Sequence, residues 1–177
     1  MYRKKLILIM GVPASGKTTI AKLIIKKKKA VYLDNNFIAD AFFPRTRVDK
    51  EYKKIRKSIY KAIYRITSEN LKLGNSVILD IPHITHMMDK NWRIKMRRLT
   101  QKANTQLKII RCYCSEETLK NRMKNRGEKR DKWKLLNWEK FLQKEPIFVK
   151  IPFEHIDINT EKKNKENIRE IMEYLQA

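Results

Sequence analysis

Short apolar runs alternate along the chain with longer stretches in which apolar residues recur every three to four positions. An apolar run of about four to eight residues is typical of a buried strand, whereas the longer spacing is typical of an amphipathic helix. We predict strands at residues 6–10, 30–33, 76–79, 107–114 and 155–158. We predict helices after residue 18, at 49–73 and 88–103, from Ser115 to an interruption at Gly127, at 135–142 and at 166–175.

The order of these elements predicts the fold class. Strand followed by helix, repeated along the chain, is the pattern of right-handed βαβ units, which build a parallel sheet covered by helices on both faces. The chain has 177 residues and contains neither an internal repeat nor a linker rich in Ser, Pro or Gly. We therefore expect one α/β domain over residues 1–177.

Composition and charge restrict the class of protein further. The chain carries 42 Lys and Arg residues against 19 Asp and Glu, a formal net charge of +23. Such an excess favours nucleic acid, anionic lipid or phosphate-rich ligands, although solvated lysines on helix surfaces give the same count. The 42% share of hydrophobic residues excludes a disordered basic tail. Cys112 and Cys114 are too few for a disulfide framework, and their spacing is not that of zinc ligands.

The sequence gives no sign of a membrane span or of a secretion signal. No stretch approaches the ~18 consecutive apolar residues that a span requires. The apolar run at residues 6–10 follows a basic start, but it is short for a signal sequence and ends at a glycine motif. We therefore expect a cytoplasmic protein without a membrane partner.

The segment between the first predicted strand and the first predicted helix matches the motif G-x-x-x-x-G-K-[ST] over residues 11–18. Its glycines allow successive backbone N–H groups to point at phosphate oxygens, and the helix N-terminus adds a positive dipole end. We expect Lys17 to reach the β- and γ-phosphates and Thr18 to offer its hydroxyl to Mg²⁺. The predicted nucleotide-binding residues here are Gly11, Val12, Pro13, Ala14, Ser15, Gly16, Lys17, Thr18 and Thr19.

Two aspartates directly follow predicted strands, Asp34 after the second and Asp80 after the third. Ligands of open α/β sheets bind beyond the carboxyl ends of the strands, which is where both side chains would lie. We predict that Asp80 helps Thr18 to hold Mg²⁺ and that Asp34 orients or deprotonates an acceptor hydroxyl. The alternative for both aspartates is a helix N-cap, a position in which Asp is common. Asp40 fits a short helix better than a site.

Three arginines recur at every fourth position, Arg122, Arg126 and Arg130, in a segment too polar for the core. Guanidinium groups offer planar forks of donors that suit phosphoryl oxygens. We predict a lid over about residues 122–135 that excludes water, with Arg126 and Arg130 stabilising charge on the transferring group. A solvated basic helix is the alternative interpretation.

Several other residues are weaker candidates. His83 and His86 follow the third predicted strand and have a spacing that suggests a metal site, but no third ligand completes it. We expect their loop to contact the acceptor instead. Arg56 and Tyr60 lie one turn apart on the long predicted helix and face either the acceptor or solvent. Among the tryptophans, which fit packing against the core, only Trp133 beside the lid is worth testing as a stacking platform.

Residues 11–18, Asp34, Asp80 and the segment 122–130 together resemble the small P-loop kinases. This group includes gluconate kinase, shikimate kinase, chloramphenicol phosphotransferase, the zeta toxins, polynucleotide 5′-kinase and the kinase that phosphorylates seryl-tRNA. The likeness spans nearly the whole chain, and the segment 114–142 is most similar to AAA-family, zeta-toxin-like kinases. The resemblance implies a P-loop NTPase fold, with a five-stranded parallel sheet in the order 2-3-1-4-5 and a short helical lid.

The resemblance also implies roles for individual residues near the nucleotide. Arg122 would pack against the adenine, while Arg126 and Arg130 would close on the phosphates. The loop after the last predicted strand, near Asn159 and Thr160, would border the base. These assignments place the adenine between the lid and the C-terminal part of the sheet.

The sequence departs from gluconate and shikimate kinases at the acceptor. Those enzymes carry a D-x-D pattern after the second strand, and the later acid contacts the acceptor. This chain has Asp34, Asn35 and Asn36 at the corresponding positions. Either Asp34 takes the role of the later acid, or Asn36 only hydrogen-bonds the acceptor.

The predicted activity is ATP- and Mg²⁺-dependent transfer of the γ-phosphoryl group to a hydroxyl of a small molecule. Within the kinases, the charge of +23 keeps a polynucleotide 5′-hydroxyl or a tRNA as the alternative acceptor. A nucleotide-dependent nucleic-acid-binding ATPase without kinase chemistry is a second alternative, from another class. The sequence leaves open the identity of the acceptor, the choice between ATP and GTP, and the choice between monomer and homodimer.

Overall fold

The computed structural model describes residues 4–43, 50–81 and 84–177. The strands are β1 (Lys5–Met10), β2 (Val31–Asp34), β3 (Val77–Asp80), β4 (Gln106–Tyr113) and β5 (His155–Asn159). The helices are α1 (Lys17–Lys27), α2 (Asn35–Phe42), α3 (Lys50–Lys72), α4 (Lys90–Lys102), α5 (Glu116–Arg126), α6 (Lys132–Leu136), α7 (Trp138–Lys144) and α8 (Asn164–Gln176). Short 3₁₀ helices cover Thr85–Met88 and Lys129–Asp131.

The five strands form one parallel sheet in the order β2-β3-β1-β4-β5, as predicted. The first strand lies in the middle, where Leu8 pairs with Leu79 of β3 and with Ile109 of β4. Because all strands run in the same direction, their carboxyl ends meet along one edge of the sheet. The P-loop and the two aspartates of the sequence analysis are therefore brought to that edge.

The central strand is buried on both faces, which explains its unbroken apolar sequence. Successive side chains of a strand point to opposite faces of the sheet. Leu6, Leu8 and Met10 therefore join one apolar cluster, and Ile7 and Ile9 join the other. Each fully buried Leu or Ile side chain contributes about 1.5–3 kcal/mol of transfer free energy, so this strand anchors both halves of the core.

Helices cover both faces of the sheet. On one face, α1 and α8 contribute buried residues that include Ile20, Ile24 and Ile171. The opposite face is covered by α3, α4, α5 and α7. Their buried residues include Ile63 and Met96, which pack against the sheet. The edge of the sheet that carries the P-loop and the two aspartates thus lies on a scaffold that is packed from both sides.

Most predicted elements agree with the structure, and one does not. Gly127 ends α5 with a φ of 62°, and Ser115 caps its first turn, both as predicted. The predicted helix at residues 135–142 is wrong, because α6 and α7 are separate helices that meet at Asn137. Asn137 has φ −130° and ψ 52°, which is not a helical conformation. Asp49, where the predicted long helix begins, lies outside the described residues.

In the described part of the chain, none of the helices combines the length and the apolar character that crossing a membrane would require.

Candidate active site

The loop that joins β1 to α1 has a backbone that only glycine suits at two positions. Gly11 has a φ of 151°, and a Cβ atom there would collide with the carbonyl oxygen of Cys112 and with Oγ of Ser15. Gly16 has a φ of 88°, and its Cβ atom would lie 3.0 Å from Cβ of Thr160. L-amino acids with side chains rarely adopt such angles. The two motif glycines therefore fit both the curl of the loop and its close neighbours.

The side chain of Lys17 folds back over its own loop. Its Nζ atom donates hydrogen bonds to the carbonyl oxygens of Gly11 and Val12, at 3.0 and 2.9 Å. Burial lowers the pKa of this ammonium group, and the negative charges of Asp80 and Glu145 oppose the shift. A half-buried charged donor whose hydrogen bonds go only to neutral carbonyls at the cavity wall is well placed to exchange them for phosphate oxygens.

Two carboxylates and two hydroxyls form a chain at the ends of β2, β3 and α1. Thr18 Oγ1 donates a 2.6 Å hydrogen bond to Asp80 Oδ2. The Tyr32 hydroxyl lies 3.0 Å from the same Asp80 oxygen and 3.1 Å from Asp34 Oδ2. Asp34 and Asp80 are register partners of neighbouring strands, which explains why one tyrosine reaches both. Burial, followed by the charges of Asp80 and Asp34, raises the pKa of Tyr32, so the phenol stays a neutral donor.

Thr18 and Asp80 have the donor chemistry that Mg²⁺ requires. Mg²⁺ binds oxygen ligands and usually keeps several waters, with few protein ligands beside the substrate phosphates. Asp80 is 1% exposed, and its Oδ1 atom is buried without a hydrogen-bond partner among the described residues. Such an atom is costly unless a cation or water satisfies it. The arrangement fits a magnesium ion held by Thr18 and Asp80, directly or through water.

The structure places Asp34 at the start of α2 as its N-cap. Asp34 Oδ1 accepts a 2.7 Å hydrogen bond from the backbone N–H of Asn36, and Asp34 Oδ2 faces Tyr32. The residue is 4% exposed. Asn36, by contrast, lines the cavity described below. The geometry therefore agrees with the N-cap alternative for Asp34. A role of Asp34 toward an acceptor stays a prediction.

Arg122 joins three segments around the nucleotide loop. Its guanidinium donates to Oγ1 and to the carbonyl oxygen of Thr160, at 2.8 and 2.9 Å, and to the carbonyl oxygen of Ala14, at 3.4 Å. The hydroxyl of Thr160 also lies 3.0 Å from the carbonyl oxygen of Ser15. These contacts hold the loop after β5 against the phosphate loop, next to the cavity in which the resemblance places the base.

The two other arginines of the predicted lid are held by carboxylates. Nε of Arg126 bonds Oδ2 of Asp131, which is 1% exposed and also accepts a 2.8 Å hydrogen bond from Lys134. Burial alone would raise the pKa of Asp131, but the hydrogen bonds from Arg126 and Lys134 hold it below the ordinary value. Arg130 lies 3.7 Å from Asp40 on α2, which ties the lid segment across the cleft.

One cavity of about 1500 Å³ brings most of the predicted residues together. Its walls come from the phosphate loop, the ends of β3 and α2, the lid segment, α7 and the loop after β5. Its lining residues include Ala14, Gly16, Lys17, Thr18, Thr19, Asn36, Asp80, Arg122, Arg126, Arg130, Trp133 and Thr160. The predicted residues of the described chain that do not line it include Gly11, Val12, Ser15, Asp34, Arg56 and Tyr60.

The loop after β3 is described only in part, and His83 lies outside the described residues. The ring of His86 packs between aromatic rings, 5.7 Å from that of Tyr60 and 6.0 Å from that of Trp92. Trp133 is 46% exposed at the cavity wall, with the ammonium of Lys144 4.9 Å from its ring centroid. His86 thus packs among aromatic side chains, whereas Trp133 lies at the cavity surface.

Sequence reasoning missed two residues of this site. Tyr32 was assigned only to a strand, although its position two residues before Asp34 places both side chains on one face of β2. Glu145 is the C-cap of α7 and lines the cavity. No motif signals Glu145, because its position depends on how the segment after the lid folds back.

Comparisons with solved structures give likenesses over nearly the whole chain. A candidate kinase from Chloroflexus aurantiacus is 18% identical with a TM-score of 0.75, covering 99% of this chain and 100% of that one. The APS kinase CysC of Mycobacterium tuberculosis, in complex with AMPPNP and APS, is 13% identical with a TM-score of 0.66 and full coverage of both chains. A gluconokinase from Sinorhizobium meliloti is 16% identical with a TM-score of 0.60, covering 99% and 93%.

A search of curated protein sequences finds no match to this chain. A family described as AAA domain matches residues 6–144, which include the phosphate loop, both aspartates and the lid segment. The chain therefore belongs to this AAA domain family and has the fold of the small P-loop kinases.

Proposed function

We propose that the protein is an ATP- and Mg²⁺-dependent kinase that transfers the γ-phosphoryl group to a hydroxyl of a small molecule. The observation that carries the proposal is the single cavity in which the phosphate loop, Asp80 and the arginines of the lid segment meet. Small-molecule pockets are typically about 300–1,000 Å³. At about 1500 Å³, this cavity has room for an acceptor beside the nucleotide.

The residues of the cavity have the chemistry that phosphoryl transfer requires. Catalysis of this reaction is mainly positioning and electrostatic stabilisation of the charge on the transferred group. The backbone N–H groups of residues 11–18 and the ammonium of Lys17 bind the phosphates, and Thr18 and Asp80 hold Mg²⁺. The metal ion, when bound, neutralises charge on the β- and γ-phosphate oxygens. Arg126 and Arg130 exchange their carboxylate partners for phosphate oxygens when the lid closes.

The names of similar proteins support a small acceptor. Two of the similar structures are named as an APS kinase and a gluconokinase, and the former contains both AMPPNP and APS. Together with the family match, these names support ATP as the donor and a small hydroxyl compound as the acceptor.

The charge of the cavity favours an anionic acceptor and supports a second candidate function. Eight of the lining residues are cationic, and two are acidic. The four lysines in addition to Lys17 are Lys129, Lys132, Lys134 and Lys144. A 5′-hydroxyl polynucleotide or a tRNA would place backbone phosphates near these lysines. A polynucleotide or tRNA kinase is therefore the second candidate.

A screen with γ-labelled ATP tests the proposal directly. The panel contains nucleosides, sugars, sugar acids, aminoglycosides, 5′-hydroxyl oligonucleotides and tRNA, and mass spectrometry identifies any labelled product. We expect one class of small hydroxyl compound to be labelled by the wild-type protein and not by Lys17→Ala. Labelling of oligonucleotides or tRNA alone would establish the second candidate. Release of inorganic phosphate without any labelled acceptor would refute both.

A further inference from the structure

The carboxylates around the cleft differ in how many of their oxygens are already engaged. Asp34 caps α2 and faces Tyr32, so both of its oxygens are used. Asp131 is bound by Arg126 and Lys134. Asp40 is on the outer side of the cleft, near Arg130. None of these three residues is among the described residues that line the cavity.

Two acids line the cavity, Asp80 and Glu145. Asp80 is committed to Thr18 and Tyr32 and has the environment of a magnesium ligand. The carboxylate of Glu145 makes no hydrogen bond or ion pair with the part of the chain that the structure describes. Asp80 Oδ1 also has no hydrogen-bond partner among the described residues, but it is the atom that we assign to Mg²⁺. Of the two acids at the cavity wall, Glu145 is therefore the one left for the acceptor.

The fold holds Glu145 in place through its backbone. Glu145 ends α7, and its N–H donates a 2.8 Å hydrogen bond to the carbonyl oxygen of Phe141. Phe141 is 1% exposed and also lines the cavity, so the end of this helix is packed into the core. Pro146 follows directly and cannot continue a helix. The backbone of Glu145 is thus fixed at the end of α7, a helix that is anchored in the core by Phe141.

The charge of Glu145 acts on the phosphate-binding lysine. Burial lowers the pKa of Lys17, and the charge of Glu145 opposes this shift, after the larger contributions of Asp80 and Cys112. It also contributes, after Tyr60 and Tyr52, to raising the pKa of Arg56 on α3. Glu145 is therefore within electrostatic range of Lys17 Nζ, which we assign to the β- and γ-phosphates, and of Arg56 on α3.

We propose that Glu145, and not Asp34, is the carboxylate that meets the acceptor hydroxyl. This assignment rests on the proposed kinase function. In the transfer step, the hydroxyl oxygen forms a bond to the γ-phosphorus. The bond from that phosphorus to the bridging oxygen breaks, and its electron pair stays on ADP. The proton of the hydroxyl passes to the Glu145 carboxylate, which orients the hydroxyl before the step.

The variants Glu145→Gln, Glu145→Asp and Asp34→Asn test the assignment, with Glu139→Gln as the matched control. Glu139 is an exposed acid on the same helix, outside the cavity. Two rates are measured, transfer to the acceptor that the screen identifies and hydrolysis of MgATP, in which water replaces the acceptor. MgADP affinity is measured by calorimetry, and folding is checked by thermal unfolding.

We expect Glu145→Gln to lower both rates by about 10²-fold or more, which is the usual size of a general-base contribution. Its MgADP affinity should be equal to the wild-type value or up to about threefold higher, because a negative charge near the phosphates is removed. Glu145→Asp should recover part of the rate, and Glu139→Gln should equal wild type. If Glu145 had only a structural role, Glu145→Gln would lower thermal stability and MgADP affinity together. It would not lower the two rates while leaving MgADP affinity intact.

Wild-type rates in Glu145→Gln, or a loss confined to Asp34→Asn, would overturn the assignment. A protein that labels no acceptor would refute the proposed kinase function, but the hydrolysis rate would still report on Glu145. The two failures are therefore distinguishable.

Discussion

The Thr18 hydroxyl donates a 2.6 Å hydrogen bond to Asp80 Oδ2, across 62 positions of sequence. Thr18 lies in the first turn of α1, and Asp80 is the last residue of β3. The parallel pairing of β1 with β3 brings the two elements together. A single hydrogen bond thus places the two protein groups that we assign to Mg²⁺ side by side.

This relationship predicts the effect of removing the charge of Asp80. We expect Asp80→Asn to lower kcat by about 10²–10³-fold, a loss typical of a group that stabilises developing charge. A magnesium titration of the rate should also shift to higher concentrations. The affinity for ADP without Mg²⁺ should change by less than about threefold. Glu170→Gln, an exposed acid on α8, is the control, and wild-type magnesium dependence in Asp80→Asn would refute the assignment.

Lys17 should be essential for nucleotide binding and dispensable for folding. Burial lowers the pKa of its ammonium group, so the fold does not favour the charged form, and we expect removal of the side chain to cost little stability. We expect Lys17→Met to lose MgATP binding in calorimetry while its Tm without nucleotide is equal to or above that of wild type. A large drop in Tm would show that the hydrogen bonds to Gly11 and Val12 outweigh the cost of burial.

Tyr32 separates two carboxylates that would otherwise repel each other. Its hydroxyl lies within hydrogen-bond distance of both Asp34 and Asp80. We expect Tyr32→Phe to lower the free energy of unfolding by about 1–2 kcal/mol in urea denaturation, because a buried donor is lost. Saturating MgADP should reduce this loss, since Mg²⁺ takes over part of the neutralisation at Asp80. An equal loss with and without MgADP would contradict this explanation.

The lid segment should open when its buried carboxylate is neutralised. Asp131 binds Arg126 and Lys134, and no other acid among the described residues contacts these two cations. We expect Asp131→Asn to raise the rate of tryptic cleavage at residues 129–134 by at least about threefold, because local opening becomes easier. MgADP should protect the wild type more than the variant. Glu166→Gln on α8 serves as the control. Unchanged cleavage of Asp131→Asn would show that Asp131 does not hold the lid segment closed.

Salt dependence separates a polynucleotide acceptor from a small one. Each phosphate neutralised by Lys or Arg releases counterions, so binding of a polyanion weakens steeply with salt. For a small acceptor, we expect kcat/KM to fall by less than about threefold between 50 and 200 mM salt, whereas several phosphate contacts give a drop of about tenfold or more. A Lys129→Ala, Lys132→Ala double variant should reduce the slope only in the second case.

The parallel sheet and the phosphate loop were predictable because each depends on local sequence, whereas the strand order followed from the resemblance to the small P-loop kinases. Alternating strand and helix patterns predict parallel βαβ units, and parallel units put Asp34 and Asp80 at one edge. The motif at residues 11–18 fixed the place of the nucleotide loop. The roles of Arg122, Arg126 and Arg130 stay predictions, although all three line the cavity.

The remaining features depend on packing between distant segments. Glu145 has no neighbouring motif, and only the return of α7 to the core brings it to the cavity. The break at Asn137 was missed because the apolar spacing continues through it, and the chain is bent by packing of two short helices. Likewise, the carboxylate partners of Arg126 and Arg130 come from turns and helices whose relative positions no spacing encodes.

The contact between Thr160 and the phosphate loop has a consequence for the order in which the candidate site forms. Thr160 lies 145 residues after Ser15 in the sequence. Among the described hydrogen bonds, the Thr160 hydroxyl is the side-chain group that donates to the carbonyl oxygen of Ser15. Its N–H also bonds the carbonyl oxygen of Tyr113, so it is in place only when β5 has joined the sheet. The loop at residues 11–18 therefore reaches its supported form only after a segment 145 residues later in the sequence has joined the sheet. Preparation of the phosphate loop thus depends on completion of the sheet and not on the local motif alone.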